Sequence, residues 1–407
     1  MKQLFLGNSG TSPSTTANTY WSLMGASTGR TAFSDSAIVV PCDGTFSNFR
    51  VVAQTNQSGG NSFAYGLYVD DAASSLWVTG VQDTILHTDS DSVGVTAGQR
   101  VAIVSDPTSS PSASNFKWMI EFTPTTEQRF MVGGGCGAAD LATSGTTYIP
   151  ICGDENSGST TESIEYAVMP VTGTLKTLYV WLNQTVLATT TIAVSVNGSV
   201  TGAPTVSISD PNTSGNNSTD LAVTAGDRVS VRITGSGTYL SAGTRINVGV
   251  LIAPTTNGQF PLMYGASDGN NLDTGVASYG SLCGVARTPA TTTRTVLSYG
   301  SPDFTIVGCY IYLLGNPGTG KSYTFTLQED GAEASVPFSI AFNDSETNGK
   351  SIAPGTYTFT PANESWLGWK CVPSGTPTAR RPYVSYVGYI ASGTGLNVSP
   401  SDNIDWD

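Results

Sequence analysis

Residues 310–331 read YIYLLGNPGTGKSYTFTLQEDG, and two fold classes compete for them. Gly315, Gly320, Lys321 and Ser322 satisfy the pattern G-x-x-x-x-G-K-[ST], whose glycine-rich backbone cradles phosphates in nucleotide-binding proteins. A working loop of that kind joins a parallel strand to a helix whose N-terminus faces the phosphates. The stretch before the motif alternates aromatic and β-branched residues, as a strand should. The stretch after it, YTFTLQEDG, does the same, so the pattern predicts strand–loop–strand rather than strand–loop–helix. A hairpin connection explains Asn316, Pro317, Gly318 and Gly320 as turn residues without any nucleotide.

An internal repeat supports this reading. YWSLMG begins at Tyr20, YIPICG at Tyr148 and YGSLCG at Tyr279, in steps of 128 and 131. VTAGQRVAI, VTAGDRVSV and IAPGTYTFT begin at Val95, Val223 and Ile352, in steps of 128 and 129. The units open alike, with QLFLG, QRFMVGGG and GQFPLMYG, and the first two close with FTPTT and IAPTT. Anchored on Gly25, Gly153 and Gly284, the equivalent loops begin at Asn56, Asn183 and Asn316 and read NQSGGNS, NQTVLATTT and NPGTGKS. Only the third contains a lysine, so the phosphate motif reads as a decoy.

The repeat predicts three β-sandwich domains, at residues 1–126, 127–256 and 257–391, followed by a polar acidic tail at 392–407. Period-two runs such as TLYVWLN, TTIAVSVNG and RVSVRI are broken every few residues by Gly, Asn, Asp, Ser or Pro. No twelve-residue window shows a helical stripe, so the expected class is all-β. Units of this size fit a jelly roll of about eight strands, with an immunoglobulin-like sandwich as the alternative. The short joints PTTEQ and PTTNG should hold the units side by side.

Charged residues are only 12% of the 407, and 30 acidic against 17 basic side chains leave a net charge of −13. That field disfavours nucleic acid as a partner. The N-terminus lacks the long apolar core of a signal peptide, and no later stretch is long enough to span a membrane. A soluble protein made in a cytosol is the expectation. The six cysteines show no C-x-x-C pair or Cys/His cluster, so neither zinc nor a disulfide framework is expected.

Catalytic chemistry is thin. His87 is the only histidine, in TILHTDSDS, and reads as a solvated loop residue. Asp89 and Asp91 beside it could ligate calcium, but turn chemistry accounts for them. The pairs Asp70/Asp71 and Glu329/Asp330 sit at strand ends, where exposed acids are usual. The sequons at Asn56, Asn183, Asn197, Asn343 and Asn363 follow from composition. Trp366 and Trp369, with Arg380 and Arg381 shortly after, offer an aromatic-basic contact face, with core packing as the competing reading. No catalytic residue, cofactor or metal is expected.

The strand–loop–strand of residues 310–331, the downstream IAPGTYTFT and its counterpart VTAGDRVSV resemble β-sandwich structural proteins of tailed bacteriophages. Those serve as head-decoration, fibre or other minor virion components. The resemblance spans the repeat core and carries over no functional residue. It implies three jelly rolls arranged as a covalent pseudo-trimer, capping a three-fold position on a capsid. The expected partners are then the major capsid protein or other virion proteins, with no nucleic acid, membrane or small-molecule substrate. The expected location is the virion surface, after synthesis in the host cytoplasm. A fibre or tail-associated receptor- or glycan-binding protein is the alternative.

Overall fold

The computed structural model describes residues 2–389 except 10, 28, 58–59, 84, 127–128, 137–139, 156–157, 257, 267–270, 281, 283, 287–297, 300–304, 330–331, 334–338, 344–349, 353–356 and 359–365. The expected tail at 392–407 lies outside the described residues. The protein is all-β, and its described helical content is two 3-10 turns, Phe33–Asp35 and Glu162–Ile164.

In the first third the strands are Gln3–Ser9 (β1), Thr19–Trp21 (β2), Gly25–Ser27 (β3), Ile38–Val39 (β4), Gly44–Ala53 (β5), Ser62–Val69 (β6), Ala72–Val81 (β7), His87–Val95 (β8), Arg100–Thr108 (β9) and Phe116–Pro124 (β10). They form an inner sheet, β3-β1-β10-β5-β8, and an outer sheet, β2-β9-β6-β7, with β4 also pairing β9.

The second third repeats the plan. Its strands are Phe130–Cys136 (β11), Ser144–Ile149 (β12), Gly153–Glu155 (β13), Ala167–Val168 (β14), Gly173–Leu182 (β15), Thr190–Val196 (β16), Thr205–Ile208 (β17), Ser214–Asn217 (β18), Leu221–Val223 (β19), Arg228–Thr238 (β20) and Ile246–Pro254 (β21). The inner sheet is β13-β11-β21-β15-β18 and the outer β12-β20-β16-β17, with β19 and β14 beside them.

The last third contains Gln259–Ala266 (β22), Ser278–Gly280 (β23), Gly284–Ala286 (β24), Ser298–Tyr299 (β25), Thr305–Leu313 (β26), Ser322–Glu329 (β27), Ala332–Glu333 (β28), Ser339–Asn343 (β29), Lys350–Ile352 (β30), Tyr357–Thr358 (β31), Trp366–Ser374 (β32) and Pro382–Tyr389 (β33). The inner sheet is β24-β22-β33-β26-β30 and the outer β23-β32-β27-β28, with β31, β25 and β29 beside them. Among the described strands, no sheet mixes strands from two thirds.

Sequence periodicity explains the strands with one wet face and fails for those covered on both. In β27 the burial alternates, with Tyr323, Phe325 and Leu327 inside. Strands β1 and β11 are instead buried at every position, and β10 and β21 at all but one. A strand covered on both faces loses the alternation. The second cover comes from the neighbouring third: β4 packs on the second inner sheet, β14 on the third and β25 on the first. The contacts therefore close on themselves. The short parallel strands β3, β13 and β24 also approach one another, each beside the opening strand of its own third.

Two expectations need correction. Strands β26 and β27 belong to different sheets, so the GNPGTGKS loop is a crossing between sheets rather than a hairpin. Alternation reveals a strand but not its partner, because register is non-local. His87, Asp89 and Asp91 lie in strand β8, not a loop. That strand ends the inner sheet, where one side is wet and polar residues serve as well as apolar ones.

Candidate functional site

The loop from Gly315 to Ser322 is built for close packing. Gly315, Gly318 and Gly320 take φ of 95°, 104° and 69°, which only glycine adopts freely. The Lys321 amide donates to the Gly318 carbonyl at 3.1 Å, and the Thr378 amide to the Pro317 carbonyl at 2.8 Å. Arg380 donates through Nε to the Asn316 carbonyl at 2.6 Å. Tyr323, just inside β27, donates its hydroxyl to the Thr378 carbonyl at 3.2 Å. The loop is thus strapped to the segment before β33, and a strand follows it where a phosphate site has a helix.

Trp366, Trp369, Arg380 and Arg381 do not share an open face. Trp369 is fully buried, its ring centroid 5.8 Å from that of Phe325, and its indole fills the space beside Gly280. Arg381 is buried and Arg380 is half-buried as the strap just described. Trp366 lies in β32, and its side chain falls outside the described residues.

The acidic clusters are held by their own backbone. Asp70 and Asp71 form the β6–β7 turn with φ of 47° and 66°, a conformation that Asp tolerates. Asp70 accepts from the Arg100 amide at 2.9 Å and from Gln99 Nε2 at 3.1 Å. Asp89 accepts from the amides of Trp77 at 2.6 Å and Asp91 at 2.8 Å. His87 Nε2 lies 2.7 Å from Asp83 Oδ1. Among the described residues no three His, Cys, Asp or Glu side chains converge as a metal site would require. Glu329 lies in β27, and its neighbour Asp330 is outside the described residues.

Specific polar chemistry concentrates at the seams between thirds, which sequence reading missed. Arg100 stacks its guanidinium 3.8 Å from the Trp181 ring centre. Arg228, which holds the same place in VTAGDR as Arg100 in VTAGQR, stacks 5.2 Å from both Tyr166 and Tyr312. Burial lowers the Arg100 pKa, against an opposing pull from Asp70 and Asp71. Arg245 pairs with Asp35, and Tyr383 donates its hydroxyl to the Ser163 carbonyl. Gln3, fully buried, uses both ends of its amide on Met131, donating to its carbonyl at 2.6 Å and accepting from its amide at 2.8 Å. Cys152 donates its thiol to the Met263 carbonyl at 3.5 Å, and the Gly133 amide donates to Met24 Sδ at the same distance. The repeated Arg in the VTAG turn was the one signal available.

Burial disfavours the thiolate form at three further cysteines. Burial pushes the Cys42 thiol up to about 12 and raises Cys309 and Cys371 further, away from reactive thiolate. No protein-family model matches the chain, and no curated protein matches it.

Proposed function

We propose that this chain is a virion structural protein, a decoration or cement protein that binds the outer shell of a tailed-phage head. In this reading its three thirds are jelly rolls arranged as a covalent pseudo-trimer. The observation that carries the proposal is the closed circuit of seams, in which β4, β14 and β25 each cover the next inner sheet. A heterologous contact repeated three times with closure is the logic of a cyclic trimer, here written into one chain. The strand order supports the jelly roll. The first and last long strands lie side by side within the inner sheet, and in the first third the chain crosses between sheets at every connection except β6–β7, as two interlocked Greek keys require. An immunoglobulin-type sandwich groups its strands differently.

A rigid three-lobed block with unlike loops suits a position where three neighbouring shell subunits meet unequally. Its action there would be passive: area buried across subunit joints favours the assembled state. Electron microscopy of the native particle tests this. The expected result is density for one chain over each of many three-fold or quasi-three-fold capsid positions. A few copies on a tail or fibre would instead establish the receptor-binding alternative.

A further inference from the structure

The outward face of the first outer sheet carries a feature that the other two outer sheets lack among the described residues. One transverse row of paired residues runs Tyr20, Val104, Gly66 and Trp77 across β2, β9, β6 and β7. Their chain neighbours Trp21, Ile103, Tyr65 and Leu76 belong to the core, so the row points away from it. The indole of Trp77 lies across Gly66, where a Cβ would meet Cε3 at 1.9 Å. Tyr68, one row along, has its ring centroid 5.9 Å from that of Trp77, with planes 38° apart, and 5.4 Å from that of Tyr20, which it meets edge-on at 73°. Beneath these rings Val104 and Ala102 are fully buried, while Tyr20, Tyr68 and Trp77 are half-buried. The three rings form a contiguous, partly exposed patch in which Tyr68 and Trp77 lie nearest to parallel.

Polar groups surround the layer. Asn18 Nδ2 lies 3.5 Å from the Tyr68 hydroxyl. Asp71 and Asp106 act on both phenols, which burial together with these carboxylates holds above their ordinary range. Arg30 pairs with Tyr20 across a single bridge and ends the row on its far side. The rim thus offers both hydrogen-bond acceptors and donors, with acids outnumbering the cation.

Tyr20 and Tyr68 also pack against a small buried cluster of Phe33, Ala37 and Ala102, but the sister sheets are built largely without such rings. The homologous rows read Tyr148, Arg232, Ala193, Thr205 and Tyr279, Lys370, Thr326, Ser339. Only the first tyrosine recurs, and the sheets form equally well without the other rings. Tyrosine and tryptophan anchor protein partners as well as sugars, so the choice of ligand rests on the polar groups at the rim.

We propose that Tyr20, Tyr68 and Trp77 form a platform for a neutral oligosaccharide. The C–H faces of one or two sugar units would stack on Tyr68 and Trp77, with Tyr20 at their edge, and their hydroxyls would bond Asn18, Asp71 and Asp106. The acids at the rim select against sulfated or carboxylated glycans. This site is independent of where on a particle the chain sits.

The test is titration of the full chain with linear gluco-, manno- and galacto-oligosaccharides of four to six units, and with a heparin-derived hexasaccharide. Binding is read by calorimetry. A second readout is protection of Trp77 from indole oxidation, located by mass spectrometry. Expected are saturable binding of at least one neutral oligomer, none of the sulfated probe, and protection at Trp77 but not Trp181. Trp77→Ala and Tyr68→Ala should each weaken binding about tenfold or more, with unchanged circular dichroism. Should either variant misfold, Asp106→Asn and the oxidation footprint on the unmodified chain carry the test. No binding by any neutral probe, binding untouched by these changes, or preference for the sulfated probe would overturn the proposal. So would protection of Trp77 seen only in chains docked on a particle, which would mark a protein contact instead.

Discussion

At the scale of single residues, the seams impose demands that the repeat alone does not reveal. Gly249 in β21 lies under the carbonyl of Val39: a Cβ there would sit 1.8 Å from that oxygen and 2.8 Å from its carbon. Both obstacles are backbone, so no side chain can swing away. Gly249→Ala should therefore cost about 2–4 kcal/mol by forcing β4 off the second inner sheet. Gly94→Ala is the control, since nothing lies within 4 Å of its Cβ position. It should be neutral, or stabilising by about 0.5 kcal/mol. Equal urea midpoints for the two variants would sink the argument. The tyrosines add a pH dependence. Burial raises Tyr65, Tyr383 and Tyr386 above the ordinary phenol range of about 10. The folded state holds these protons more tightly than the unfolded one. The stability they confer is full below about pH 10 and declines as pH rises beyond it. Cys42, at about 12, begins the same decline near its ordinary value of 9.0. Urea midpoints should be level between pH 7 and 8 and fall steeply by pH 11; a level curve to pH 11 would contradict the burial of these groups.

At the scale of elements, strands were legible where one face is wet and ambiguous where both are covered. The runs behind β15, β16, β20 and β27 alternate visibly, and their prediction needed only period two. FKWMIEFTP of β10 reads differently: Lys117 and Glu121 occupy its second face, yet both are buried, beneath cover from another third. No local pattern can announce a neighbour a hundred residues away. The same limit turned the Gly315–Ser322 crossing into an apparent hairpin. What remained readable was chemistry: a strand after the loop leaves no helix N-terminus to hold phosphate. Lys321→Ala should therefore change neither ATP–magnesium binding, absent before and after, nor the thermal midpoint by more than about 1 °C. Tight binding of labelled ATP that disappears with Lys321→Ala would reinstate the nucleotide reading. Trp369 teaches the converse lesson. Its pairing with Trp366 and two arginines resembled a contact face, but alternation within β32 sends Trp369 inward against Phe325.

At the scale of the whole molecule, the closed seams predict how the chain unfolds. Each inner sheet has one face on its own sandwich core and the other against a neighbouring third. Leu4, Leu6, Val52 and Met119 of the first third share a cluster with Leu282 and Ile306 of the last. Tyr166 and Val168 of the second share one with Tyr383. Met131 and Val132 share another with Ile38. Unfolding any third would strip apolar cover from both of its neighbours, at roughly 1.5–3 kcal/mol for each large side chain exposed. Several such residues per seam exceed the margin of about 5–15 kcal/mol that holds an ordinary domain together. The thirds should therefore melt as one unit. Calorimetry should show a single transition whose calorimetric and van't Hoff enthalpies agree, near 250–300 kcal/mol for a chain of this length at about 0.7 kcal/mol per residue. Three independent sandwiches would instead give a van't Hoff enthalpy close to one third of the calorimetric value, even if their midpoints coincided. Gly249→Ala sharpens the measurement, because it loosens the first seam alone. If the circuit is cooperative, the variant keeps one transition at a lower midpoint. A separate early transition, with the rest of the trace unmoved, would show that the thirds stand side by side without depending on one another.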